Sequence, residues 1–167
     1  MRGAGTSLKA ASRWALCLAV WLANPVVYAA VTCTVSATGP AFGNYNPLNA
    51  APTLSNGSIT ASCTLTGNVN TTVNLVSSYS KGSSPTYTPR TMTSGANRLN
   101  YNLYYDAALT QIRGDGTGGT QTGGATFALT TGNRTQSTTS TIYGQLFALQ
   151  DVAAGAYADT IVVTVMY

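Results

Sequence analysis

The acid–base chemistry open to this chain rests on four carboxylates, Asp106, Asp115, Asp151 and Asp159, because its 167 residues include no histidine and no glutamate. The commonest general bases and metal ligands are therefore missing. Asp151 and Asp159 could form the carboxylate pair of a glycosidase, but neither has an obvious companion acid or base, and Asp159 before Thr160 reads better as a turn or strand-end hydrogen-bonding residue. Serine and threonine abound, yet a hydroxyl nucleophile needs an activating base. The lone candidate, Lys81, sits in the loop-like run Tyr79-Ser80-Lys81-Gly82-Ser83-Ser84-Pro85. Four scattered acids do not make a calcium or zinc site. Gly114-Asp115-Gly116-Thr117-Gly118-Gly119 matches G-x-G-x-x-G literally. A dinucleotide fingerprint also requires a preceding strand, a following helix and an acid about 20 residues on; here no acid follows until Asp151, so the run reads as a flexible loop. Arg113-Gly114-Asp115 spells an adhesive tripeptide on that loop and is read as a chance match. Asn56-Gly57-Ser58, Asn70-Thr71-Thr72 and Asn133-Arg134-Thr135 are glycosylation sequons by pattern alone and read as turns. No enzyme, cofactor, metal or small-molecule substrate is expected.

The elements that would position these residues begin after an export signal. Arg2, Lys9 and Arg13 precede the apolar run from Trp14 to Ala23, and Asn24-Pro25 ends it. The run is about ten residues, right for a signal-peptide core and short of the ~20 that span a membrane. Cys17 lies inside it and is not read as a lipidation site. Cleavage is expected after Ala29, with small Val27 at −3; residues 1–29 are the signal peptide and 30–167 the mature domain. What remains carries Lys81, Arg90, Arg98, Arg113 and Arg134 against the four aspartates, a near balance that gives no reason to expect nucleic acid as a partner. Two cysteines remain, Cys33 and Cys63, and an oxidising destination makes one disulfide the expectation, two free thiols the alternative.

Short alternating runs recur between turn signals. Val31–Ser36 begins the series, and Gly57–Leu65 places Ile59, Ala61, Cys63 and Leu65 on one face with hydroxyls on the other. Thr71–Val76, Leu99–Tyr105, Ala125–Leu129 and Thr141–Ala148 follow. In the last and clearest run, Tyr157, Asp159, Ile161, Val163, Val165 and Tyr167 share one parity. Turn-forming clusters occupy 47–52, 81–89, 114–124 and 132–140. No apolar spacing of 3.6 persists, so the chain reads as an all-β, antiparallel two-sheet sandwich in one domain.

Several stretches resemble the spore coat protein U domain, a family that includes pilin subunits of archaic chaperone–usher pili. They are Cys33-Thr34-Val35, Phe42-Gly43-Asn44-Tyr45, Gly57-Ser58-Ile59 with Cys63, Arg90-Thr91-Met92, Leu99-Asn100-Tyr101-Asn102-Leu103-Tyr104, Asp106, Tyr143-Gly144, Gln150-Asp151-Val152 and the ending Gly155–Tyr167. The resemblance spans residues 31–167. It implies an immunoglobulin-like β-sandwich short of one strand, completed by donor-strand complementation. The implied partners are a periplasmic pilus chaperone, an outer-membrane usher and other pilin subunits, and the implied location is a cell-surface fimbrium or extracellular matrix, supporting adhesion and biofilm formation. On this reading Tyr157, Ile161, Val163, Val165 and Tyr167 belong to the assembly strand beside an open groove, with Ile161, Val163 and Val165 lining the groove's edge or the core beside it.

With cleavage after Ala29, three residues precede Cys33, too few to act as donor, which suits a terminal subunit. Cleavage after Ala23 would leave an extension from Asn24 to Thr32 with Val27, Ala29 and Val31 in alternation. The alternative function is a self-complete secreted domain of the same family serving as a coat, matrix or surface-binding module. Tyr101 and Tyr105 are expected in or beside the core. Tyr79 and Tyr87 flank the loop 81–89 and are a candidate surface-contact pair.

Overall fold

The computed structural model describes residues 30–167; the expected signal peptide lies outside them. These residues form eight strands and no helix, so none of them is in a helix that could cross a membrane. β1 (Val31–Thr38), β2 (Thr53–Leu65), β7 (Thr135–Leu146), β5 (Asn97–Tyr104) and β4 (Arg90–Ser94) lie side by side in that order. β6 (Gly123–Leu129), β3 (Thr71–Tyr79) and β8 (Val163–Met166) make a second, narrower sheet. Every strand pair is antiparallel, and the result is the expected immunoglobulin-like sandwich.

The alternation read in β2 decides its faces. Ile59, Ala61, Cys63 and Leu65 are buried. Between them Thr60 and Thr64 meet Thr139 and Thr135 of β7, hydroxyl to hydroxyl at 2.8 and 3.0 Å. Val73 and Leu75 of β3 and Phe127 and Leu129 of β6 close the core from the other sheet; each such side chain contributes roughly 1.5–3 kcal/mol on burial. Cys33 and Cys63 are register partners on β1 and β2 and form the disulfide. Closing a loop of that length stabilises the fold by roughly 3–4 kcal/mol in the chain-entropy model.

Several elements differ from the sequence reading. β7 starts at Thr135, inside the stretch read as a turn, because its inward positions there serve polar partners instead of apolar ones: Ser140 Oγ accepts from Arg113, and Gln136 Nε2 donates to the Ala128 carbonyl. β4 has a single large apolar residue, Met92, and gave no alternation; it forms a hairpin with β5 through Gly95, whose φ of 58° suits the tight turn. Asn56 lies inside β2 and not in a turn.

Two arginines, Arg90 and Arg113, have no exposed surface. Arg113 donates to the carbonyls of Tyr104 and Thr141 and to the hydroxyls of Tyr79 and Ser140, at 2.6–3.1 Å. Arg90 donates to Asn102 Oδ1 at 2.7 Å, to the Arg113 carbonyl at 2.6 Å and to the Ser80 carbonyl. All these acceptors are neutral. Tyrosine rings add to this: Tyr87 lies 5.0 Å from the Arg90 guanidinium, and Tyr105 lies 4.6 Å from that of Arg113. Burial pushes the Arg90 pKa below its usual value.

Candidate functional site

The five-stranded sheet is wider than the three-stranded one, so part of its inner face has no opposing strand among the described residues. β8 pairs with β3 along one edge, and among the described residues no strand takes its other edge. There a groove of about 1030 Å³ opens onto the core. Its floor is Leu99, Tyr101 and Leu103 of β5, Ile142 and Leu146 of β7, and Met92 of β4. Its walls are the chain segments 37–47 and 152–163.

The first wall exists because two glycines let the chain pass. β1 leaves its partner at Thr38, and a Cβ at Gly57 would collide with the backbone of Thr38, Gly39 and Pro40. A Cβ at Gly144 would sit 2.8 Å from the Pro40 ring and 2.9 Å from Phe42. Glycine inside a strand commonly marks such a close approach. Phe42 then meets Tyr101 edge-on, ring centres 6.2 Å apart. Farther along, the Tyr45 hydroxyl accepts from the Gln150 amide at 2.7 Å, joining the two walls at one end. Gln150 itself mimics a strand residue: its side chain accepts from Asn100 N and donates to Asn100 O.

The second wall changes sheets along its length. Ala158 exchanges two backbone hydrogen bonds with Thr93 of β4. Val162 accepts from Ser80 N and donates to Ser80 Oγ, which extends the β3 ladder, and β8 proper begins one residue later. The ladder is therefore shorter than the run 157–167 suggested, although burial alternates from Tyr157 to Met166. Tyr157, Ile161 and Val163 line the groove. Val165 packs in the core beside the groove, between the two hydrophobic clusters, whereas Tyr167 is 65% exposed outside the groove.

Tyr79 and Tyr87 are only 1% and 7% exposed, so they cannot form a surface-contact pair. The Tyr87 hydroxyl donates to the Tyr79 carbonyl, and both rings pack on the buried guanidiniums. Arg113 is likewise buried, which removes Arg113-Gly114-Asp115 as a surface motif. Val31 and Thr32, counted in the longer extension beginning at Asn24, are already paired with Leu65 and Thr64 inside β1. Tyr101 is buried as expected, whereas Tyr105 is partly exposed.

Asp159 is the one charged residue of the groove lining among the described residues. Its carboxylate accepts from Ser83 N, Ser83 Oγ and Thr160 N through Oδ1, and from the Tyr101 hydroxyl at 2.6 Å through Oδ2. Burial first, then the bonded carboxylate, raises the Tyr101 pKa above the usual phenol value. The bond from Thr160 fits the strand-end role read in the sequence; the reach to Ser83 and Tyr101 carried no sequence signal. The rest of the lining is apolar, small or uncharged.

The model of the spore coat protein U domain family matches residues 20–164. The chain belongs to the spore coat protein U domain family. That match begins inside the expected signal peptide and ends within β8. No curated protein matches this spore coat protein U domain chain. Among solved structures it is similar to a chain of the CsuC–CsuE chaperone–tip adhesion subunit pre-assembly complex from archaic chaperone–usher Csu pili of Acinetobacter baumannii. The identity is 20%, the TM-score 0.49, and the match covers 83% of this chain and 40% of that one.

Proposed function

We propose that this protein is a non-enzymatic structural subunit of an archaic chaperone–usher pilus, and that the groove between segments 37–47 and 152–163 receives a strand from another chain. The observation that carries this reading is the combination of an apolar-floored groove with a free β8 edge: an incoming strand would satisfy the backbone of β8 while its alternate apolar side chains fill the groove above that floor. In this reading the groove edge is formed by Tyr157, Ile161 and Val163, with Val165 behind them in the core; Tyr167 contributes no groove contact. An uncovered edge of this kind invites wrong pairing, which is the physical reason for a periplasmic chaperone to hold it before the usher and neighbouring pilins do. The pairing of Val31 and Thr32 inside β1 supports a terminal position, since it shortens any free donor segment. Export through the periplasm to a surface fimbrium, with roles in adhesion and biofilm, follows from such an assembly.

A self-complete domain is the second reading, favoured by Pro40 and Phe42, which lie over Gly144 and cover part of the floor. The two are separated by a melting experiment on the full chain exported into an oxidising periplasm without a chaperone. The probe is a short peptide of alternating valine and threonine flanked by lysines, with a block-sequence peptide of the same composition as control. The pilin reading expects a weakly stable, concentration-sensitive monomer whose melting temperature climbs with the alternating peptide. A high-melting monomer indifferent to that peptide would establish the self-complete domain instead.

A further inference from the structure

We infer that Asp159 is the positioning residue of the groove, fixing the wall 157–163 in an extended path before any strand arrives; this rests on the acceptor reading above. The wall has two backbone anchorages, Ala158 on β4 and Val162 on Ser80. They belong to different sheets, and residues 159–161 bridge the gap between them. The Asp159 side chain spans that gap. One carboxylate oxygen binds the Tyr101 hydroxyl in the floor, and the other takes the amide and hydroxyl of Ser83 in the β3–β4 loop. The loop is shaped for this purpose. Gly82 has φ +67°, and a Cβ there would fall on the Asp159 carboxylate. Ser80 Oγ accepts from Gly82 N as well as from Val162 N, so one hydroxyl fixes both the loop and the wall.

The energetic consequence concerns the empty protein. A wall that must be ordered at the moment of capture reduces the fraction of molecules able to bind, and apparent affinity falls by that fraction. Once a strand lies along the wall and β8, its own backbone hydrogen bonds hold the wall. The clasp therefore acts on capture far more than on release. Tyr101→Phe isolates it, because the ring stays buried in the floor and only the hydroxyl is lost. In Asp159→Asn the amide oxygen still serves Ser83 and the amide nitrogen can donate to the Tyr101 oxygen, so geometry is kept without charge.

The test measures association and dissociation of the fluorescein-labelled alternating peptide with the full chain, wild type and variants, at low protein concentration. Hydrogen exchange of the empty proteins is followed in parallel. Tyr101→Phe and Asp159→Ala are expected to slow capture about tenfold, with release unchanged and faster exchange confined to 157–163, while Asp159→Asn retains most of the wild-type behaviour. Wild-type capture rates in Tyr101→Phe and Asp159→Ala, with protected 157–163 amides, overturn the clasp and leave the acceptor reading standing. Slower capture with exchange raised across β2, β5 and β7 also overturns it, as general destabilisation. No capture by the wild type defeats the acceptor reading, and the exchange comparison of the same chains still decides whether Asp159 holds the wall.

Discussion

Arg113 shows how a side chain of the wrong type for a core can organise one. Its guanidinium satisfies two carbonyls and two hydroxyls drawn from β3, β5 and β7, so replacing it leaves several buried acceptors without donors. Arg113→Met is expected to destabilise the chain by about 3 kcal/mol or more, read as a lower urea midpoint at unchanged slope. A different residue-scale effect belongs to Asp106, whose carboxylate accepts from the Gln111 and Thr110 amides and the Thr110 hydroxyl. Those bonds, the Gln111 amide foremost, lower its pKa from the usual 3.8. A lowered folded-state value means that its stabilising effect is present above the unfolded value and is lost as pH falls through the folded one. Melting temperature is thus expected to fall with acid below about pH 4, with a shallower slope in Asp106→Asn.

At the scale of elements, the sequence was most readable where one face is apolar and the other hydroxylated. Ile59, Ala61, Cys63 and Leu65 announced β2, and the parity of residues 157–165 announced which side chains face inward. What could not be read was which backbone each element bonds. Residues 157–162 alternate as a strand would, yet they pass from β4 to the end of β3, because a second ladder for them is lacking among the described residues. The first half of β7 was illegible for another reason: its inward serine and glutamine answer a buried cation and a carbonyl on other elements, and no local pattern encodes that. Tyr79 and Tyr87 misled similarly, since loop-flanking tyrosines look exposed until the arginines beneath them are known. The wall 37–47 depends on Gly57 and Gly144, both visible in the sequence as glycines within strands, but without sign of what crosses them. Gly144→Ala is expected to cost about 1–3 kcal/mol and to raise hydrogen exchange across residues 40–45, as Pro40 and Phe42 are displaced from the floor.

The described residues form two unequal sheets joined by a shared core, with the Cys33–Cys63 disulfide tying β1 to β2 inside the wider sheet, and the inequality itself forms the groove. Its lining contains one formal charge, and Asp159 already spends that charge on Ser83, Thr160 and Tyr101. A channel of this kind exerts little long-range attraction on a passing chain. Charged interfaces draw partners together over a Debye length and speed encounter at low salt; this one has no such field to offer. Capture of the alternating peptide is therefore expected to have nearly the same rate at low and at physiological ionic strength, measured by stopped-flow anisotropy, and to remain well below the steered limit. Slow, salt-blind encounter gives proximity a premium. A strand delivered by a chain already held nearby would outcompete any amount of the same strand free in solution at ordinary concentrations, so the order in which neighbours are presented, more than their intrinsic affinity, would govern which one fills the groove.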